Sequence, residues 1–117
     1  MLKIKCNTAI TMNLAAAALA ALLIAQSSLP AAAAGPSFSC AGNLLPTERA
    51  ICDNATLSSL DVALAQLYDN VRNRITGANR DTLEAQEKAW IAVRDACGTN
   101  VSCIANAYRS LIGQLGG

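Results

Sequence analysis

The sequence predicts an all-α fold, a small disulfide-stapled helical bundle: an antiparallel helix pair, a C-terminal helix and a short N-terminal helix. Three observations carry this expectation. Beyond residue 43 the apolar residues recur at spacings of three and four, and no segment alternates as a half-buried strand does. Asparagine, proline and glycine stand where helices begin and end. Four cysteines, Cys40, Cys52, Cys97 and Cys103, fall in a chain segment too short to bury a large core without covalent help.

That segment starts after a leader. Met1 to Asn13 carries Lys3 and Lys5 and no acid, Leu14 to Ala25 is unbroken apolar sequence, and Ala32-Ala33-Ala34 has the small side chains of a cleavage site. The apolar run is shorter than the roughly 20 residues that span a bilayer. Residues 1–34 therefore read as a cleaved signal peptide and residues 35–117 as the mature helical domain, free in the periplasm or secreted. No cysteine follows the small residues directly, so no stable membrane anchor is expected. Without Lys3 and Lys5 the rest has seven basic groups against eight acids, which offers no electrostatic reason for a nucleic-acid partner.

The elements follow in order. Residues 35–43 form an irregular lead-in rich in Gly, Pro and Ser. Pro46 suits the first position of a short helix with Glu48 in its first turn, ending near Cys52. Asn54 caps the next helix, whose stripe is Leu57, Leu60, Leu64, Leu67, Tyr68, Val71 and Ile75, with Gly77 as its stop. Asp81 and Glu84 carry a capping-box spacing for the third helix, with Leu83, Gln86, Trp90, Val93 and Cys97 as its stripe and Gly98 as its end. Asn100 caps the last helix, with Val101, Ile104, Tyr108, Leu111 and Leu115 inward. Asn54 and Asn100 also begin glycosylation sequons, but each is read first as a cap.

The short connection at residues 77–80 makes the two long helices antiparallel. Counting outward from it places Leu64 near Val93, Leu67 or Tyr68 near Trp90, and Asp61 near Arg94 as an interhelical ion pair at the core border. Trp90 is expected to fill the centre of an otherwise aliphatic core, with Gln86 and Arg94 lining its edge; the other reading of the row Gln86, Trp90, Arg94 is a binding ridge with the guanidinium on the indole.

All four cysteines come to one pole. Three pairings are open; the local one, Cys40 with Cys52 and Cys97 with Cys103, is the expectation because each short loop only has to fold back. The close pairs of a zinc site or a redox motif are missing, and the chain holds no histidine. Without a general base or an activated nucleophile, the chain reads as a binding protein needing no cofactor, not an enzyme.

One set of residues resembles a known family. Phe38-Ser39-Cys40, Glu48 with Ala50-Ile51-Cys52, Leu57, Leu60-Asp61, Leu64 and Tyr68, then Leu83, Gln86, Trp90, Arg94, Cys97, Cys103, Tyr108 and Leu115 are similar to the lysozyme-inhibitor LprI-like N-terminal domain. Leu45-Pro46 and Asn54-Ala55 replace that pattern's Thr-Pro and Asp-Pro, which alters helix entry only. The resemblance implies an exported, disulfide-bonded helical domain of the bacterial envelope in which Asp61, Tyr68, Gln86, Trp90, Arg94 and Tyr108 are structural. It implies a protein partner, with lysozyme the named case and a non-inhibitory envelope interaction module the alternative. An inhibitor needs a group that opposes the carboxylates of the muramidase cleft, and Arg72, Arg74 and Arg80 are the only local basic concentration. Glu48, Asp53 and Asp95 are the acidic alternative, suited to a basic lysozyme surface.

Overall fold

A computed structural model of the chain describes residues 35–117; the expected leader, residues 1–34, lies outside the described residues. Four helices follow the lead-in: α1 (Pro46–Asp53), α2 (Ala55–Arg72), α3 (Ala78–Asp95) and α4 (Val101–Gly116). The described residues include no strand.

Local chemistry sets most helix ends. Pro46 opens α1, and the Leu45 N–H donates to the Glu48 carboxylate at 2.8 Å, half of a capping box. Asn54 breaks α1 from α2 with extended backbone, and its side-chain oxygen accepts the Leu57 N–H at 3.1 Å. Just inside, the buried Ser58 hydroxyl donates to the Ile51 carbonyl at 2.7 Å, adding to the Asn54 N–H that reaches the same carbonyl at the end of α1. Asn100 caps α4 by accepting the Cys103 N–H at 3.0 Å. Both asparagines thus act as the caps the sequence predicts.

The turn between the long helices differs from expectation. α2 ends at Arg72, with Asn73 as its cap, and Ile75 follows outside the helix, half-buried. Gly77 does not stop α2; it starts α3. Its φ of 56° lies in the region that favours glycine, and its carbonyl accepts the N–H groups of Arg80 and Asp81. With α3 beginning at Ala78, Asp81 sits inside the first turn with its own N–H already bonded, so it forms no capping box with Glu84. Glu84 instead meets Arg72 across the turn at 2.8 Å.

α4 is the hub. It packs most extensively on α2 and also on α3, while α1 lies against α2 and α3. Ile51, Leu57, Ile104 and Tyr108 are fully buried, with Leu64, Ala105 and Leu111 around them. α2 and α3 form the expected hairpin, yet they approach each other closely at few points.

The reason lies in the inner face of α3. Arg80, Leu83, Glu84, Glu87, Trp90, Arg94 and Asp95 are the residues of α3 turned at least partly from solvent, and five of the seven are charged. Val93 is 63% exposed and Gln86 is exposed as well, which corrects their assignment to the buried stripe and its edge and removes the expected Leu64–Val93 contact. A run of apolar letters three apart pointed through Val93, but the helix turns its inner side one residue further, through Arg94. The centre of the core is also reassigned: Tyr108, at 0% exposure, holds it, and Trp90 packs half-buried against it.

The disulfides are Cys40–Cys52 and Cys97–Cys103, the local pairing. They do share one pole: the Thr47 hydroxyl of α1 donates to the Gly98 carbonyl at 2.7 Å, tying the first clasp to the turn that carries the second. A loop of either size closed by a disulfide contributes about 2–3 kcal/mol through the unfolded chain's lost entropy. Replacing Cys40 and Cys52 together with serine is expected to lower stability by about that amount in a denaturant titration. The same change is expected to speed hydrogen exchange at the Ser37 amide, because the lead-in is then held by non-covalent contacts alone.

Candidate functional site

Beside the core lies a chain of polar groups, buried at its centre and reaching the surface at Ser37. The Ser37 N–H and hydroxyl both donate to Asp61 Oδ2 at 2.6 Å, and the Tyr108 hydroxyl donates to Asp61 Oδ1 at 2.8 Å. Arg94 Nη1 donates to the Tyr108 oxygen at 3.4 Å, while its Nε and Nη2 both donate to Asp95 Oδ1 at 2.9 and 2.7 Å. Asp61 and Arg94 are each only 7% exposed. The predicted Asp61–Arg94 ion pair is therefore absent: the two lie on facing helices as expected, but the Tyr108 hydroxyl stands between them. Asp61 gains three donors in place of one cation, and Arg94 takes the adjacent Asp95. This arrangement leaves no buried charge uncompensated, which is the condition for tolerating charge at this depth.

Burial pushes the Tyr108 hydroxyl up from the ordinary tyrosine value, and the bond to Asp61 pushes it further. Burial alone would lower Arg94, but its bonds to Asp95 and Tyr108 outweigh that and raise it.

The network forms one wall of a cleft between α2 and α3. From α2 come Asp61, Leu64, Ala65 and Tyr68; from α3 come Glu87, Trp90, Ile91 and Arg94. Ser37 and Phe38 of the lead-in close one end, and the cavity measures about 180 Å³. Trp90 is fixed on three sides. Its Nε1–H donates to the Ala107 carbonyl at 2.9 Å, its ring meets Tyr108 edge-on at 5.1 Å, and the Arg94 guanidinium lies 5.5 Å from its centroid. The indole packs on the core and also carries the guanidinium. Across the gap, Tyr68 lines the cleft as the count from the turn predicts. Its hydroxyl is pushed up to about 12 by desolvation and then by the neighbouring Glu87 carboxylate.

The basic residues of the turn are not equivalent. Arg72 pairs with Glu84, whose carboxylate raises the guanidinium further, and Arg80 Nη2 donates to the Arg72 carbonyl at 3.0 Å. Arg74 is exposed, and among the described residues it has no ion-pair partner. Of the acidic alternative, Glu48 holds the Leu45 N–H and Asp95 holds Arg94, while Asp53 is exposed.

Sequence reasoning missed three contributors. Ser37 sits in a stretch without periodicity; Thr47 has no pattern at all; and Glu87 reads as an ordinary charge in an early turn. Only the Glu87, Trp90, Arg94 spacing of three and four on one helix face signals that this carboxylate shares the inner side of α3. Both disulfides are closed, so none of the four cysteines is a free thiol, and no group of three or more His, Cys, Asp or Glu among the described residues is arranged to hold a metal.

Two clasps at one pole, a polar network through the core and a lateral cleft between the long helices define a class of small, disulfide-stapled helical bundles. Residues 40–115 match the family model described as lysozyme inhibitor LprI, and the chain belongs to that family. Proteins named lipoprotein LprI from Mycobacterium bovis and from Mycobacterium tuberculosis are similar to it, each 30% identical over 85 residues, which is 70% of this chain and 42% of theirs. The chain thus spans less than half the length of these relatives. No solved structure matches it significantly.

Removing one member of the polar network leaves its neighbours unpaired. Asp61→Asn and Tyr108→Phe are each expected to cost about 1–3 kcal/mol, and the double variant is expected to cost clearly less than their sum in a thermal or denaturant cycle.

The raised tyrosines also set an alkaline limit. The folded chain keeps protons that the unfolded chain loses above about pH 10, so this stabilisation is complete below that value and is lost as pH rises through the folded values. Absorbance at 295 nm is expected to show both hydroxyls protonated at pH 10 in the native protein and about half ionised in denaturant.

Proposed function

We propose that this protein is an exported binding protein that inhibits a lysozyme-type muramidase by direct contact, without catalysis of its own. The observation that carries this reading is the match of residues 40–115 to a family described as a lysozyme inhibitor. The two disulfides fit an oxidising compartment, the periplasm or the outside, and agree with residues 1–34 as a leader. No helix among the described residues is long and apolar enough to cross a membrane. Cys40 is engaged with Cys52 and so is not available to carry a lipid.

A muramidase cleft presents carboxylates, and a protruding cation opposes them. Of Arg72, Arg74 and Arg80, the first is neutralised by Glu84 and the third is folded back on the backbone, which leaves Arg74 as the contact residue. A second reading rests on length. The chain spans 42% of its relatives, and under this reading the module serves envelope interaction without inhibition.

Mixing the oxidised protein with lysozyme and following lysis of cell walls separates the two. Under the first reading lysis slows at near-stoichiometric protein, and Arg74→Ala weakens the effect roughly tenfold while Asp53→Asn leaves it unchanged. Unslowed lysis at large molar excess overturns the inhibitor reading.

A further inference from the structure

The cleft between α2 and α3 has a chemistry that the turn does not share. Two carboxylates, Asp61 and Glu87, line it against one guanidinium, Arg94. Asp61 is satisfied by Ser37 and Tyr108, and Arg94 by Asp95 and Tyr108, so both are committed to the network. Glu87 is half-buried and has no basic partner among the described residues. It faces the cleft with Tyr68 beside it, while Leu64, the Trp90 ring and the partly exposed Ile91 supply apolar walls.

We propose that this cleft is a receptor for a single lysine side chain protruding from a protein partner, with the ammonium on Glu87 and the aliphatic stem along Leu64, Trp90 and Ile91. Size argues for one side chain. Pockets for drug-sized ligands and cofactors run to about 300–1,000 Å³, and this one, at about 180 Å³, is too small for them. Charge argues for a cation, since Glu87, beside the neutral Tyr68 hydroxyl, is the one charged group in the lining with neither an ion-pair partner nor a place in the network, and an aromatic ring adds to the attraction. Shape argues for lysine over arginine. The guanidinium already stacked on the indole occupies the planar position, whereas a compact ammonium on a flexible stem needs only the point charge of Glu87. The receptor is independent of the muramidase reading, because it sits on the flank of the hairpin and not at the Arg74 turn.

Trp90 is the chain's single tryptophan, so its emission reports the cleft alone. Titrating the disulfide-bonded protein with tri-lysine at low salt is expected to give a saturable change in emission and a shift of the Trp90 indole N–H resonance. Tri-glycine is expected to give neither. Glu87→Gln should weaken tri-lysine binding about fivefold, the scale of one partly exposed ion pair with an aromatic neighbour. Asp53→Asn, at the end of α1, should leave it unchanged. Circular dichroism of Glu87→Gln checks that the helices persist, which is expected because Glu87 supports no part of the buried network. A flat response to tri-lysine, an equal response to tri-glycine, or unchanged binding in folded Glu87→Gln overturns the proposal.

Discussion

The carboxylate of Asp61 is the constraint on which the rest of the structure depends. A charge 7% exposed between two helices is tolerated only if donors surround it, and its three come from parts of the chain far apart in sequence. Ser37 brings in the lead-in, and Tyr108 brings in α4. Through the tyrosine hydroxyl the same network reaches Arg94 on α3. One buried anion thereby registers the lead-in and three helices against each other, something that a small aliphatic core, free to repack, specifies less sharply.

The disulfides work on the same problem from the opposite direction. Cys40–Cys52 shortens the lead-in's reach, so that Ser37 and Phe38 stay over the end of the hairpin without many contacts of their own. Cys97–Cys103 fixes the α3 to α4 turn, and with it the distance between Trp90 and Tyr108. Covalent closure at one pole leaves the other, the Arg74 turn, to non-covalent contacts: the Arg72–Glu84 pair, the Arg80 guanidinium on the Arg72 carbonyl, and backbone hydrogen bonds. Exposed pairs of that kind contribute little to stability. The two poles are therefore held differently, one by covalent clasps and the other by non-covalent contacts.

The cleft is a consequence of how α3 is composed. A helix with Glu87 and Arg94 on its inner side cannot seal against α2 as an apolar stripe would, and α4 takes over the packing that the hairpin partners do not provide for each other. The space that remains has aromatic and aliphatic walls with charge at its edge. Membership of the LprI family accounts for the scaffold, while the flank and the turn are the two surfaces proposed above for a partner.

Helix number, the all-α class and the local disulfides were legible in the sequence, as were the two asparagine caps, because periodicity, cap chemistry and short loops act between residues close along the chain. Asp61, Trp90 and Arg94 were legible as a facing set, since a short turn fixes the count across a hairpin. What only the tertiary structure decided was who pairs with whom: the insertion of Tyr108 between Asp61 and Arg94, the diversion of Arg94 to Asp95, the exposure of Val93 and Gln86, and the placing of Glu87 in a cleft. The placing of Tyr108 depends on how α4 packs against the hairpin. That packing is set by many side chains distant in sequence, and no local pattern records it.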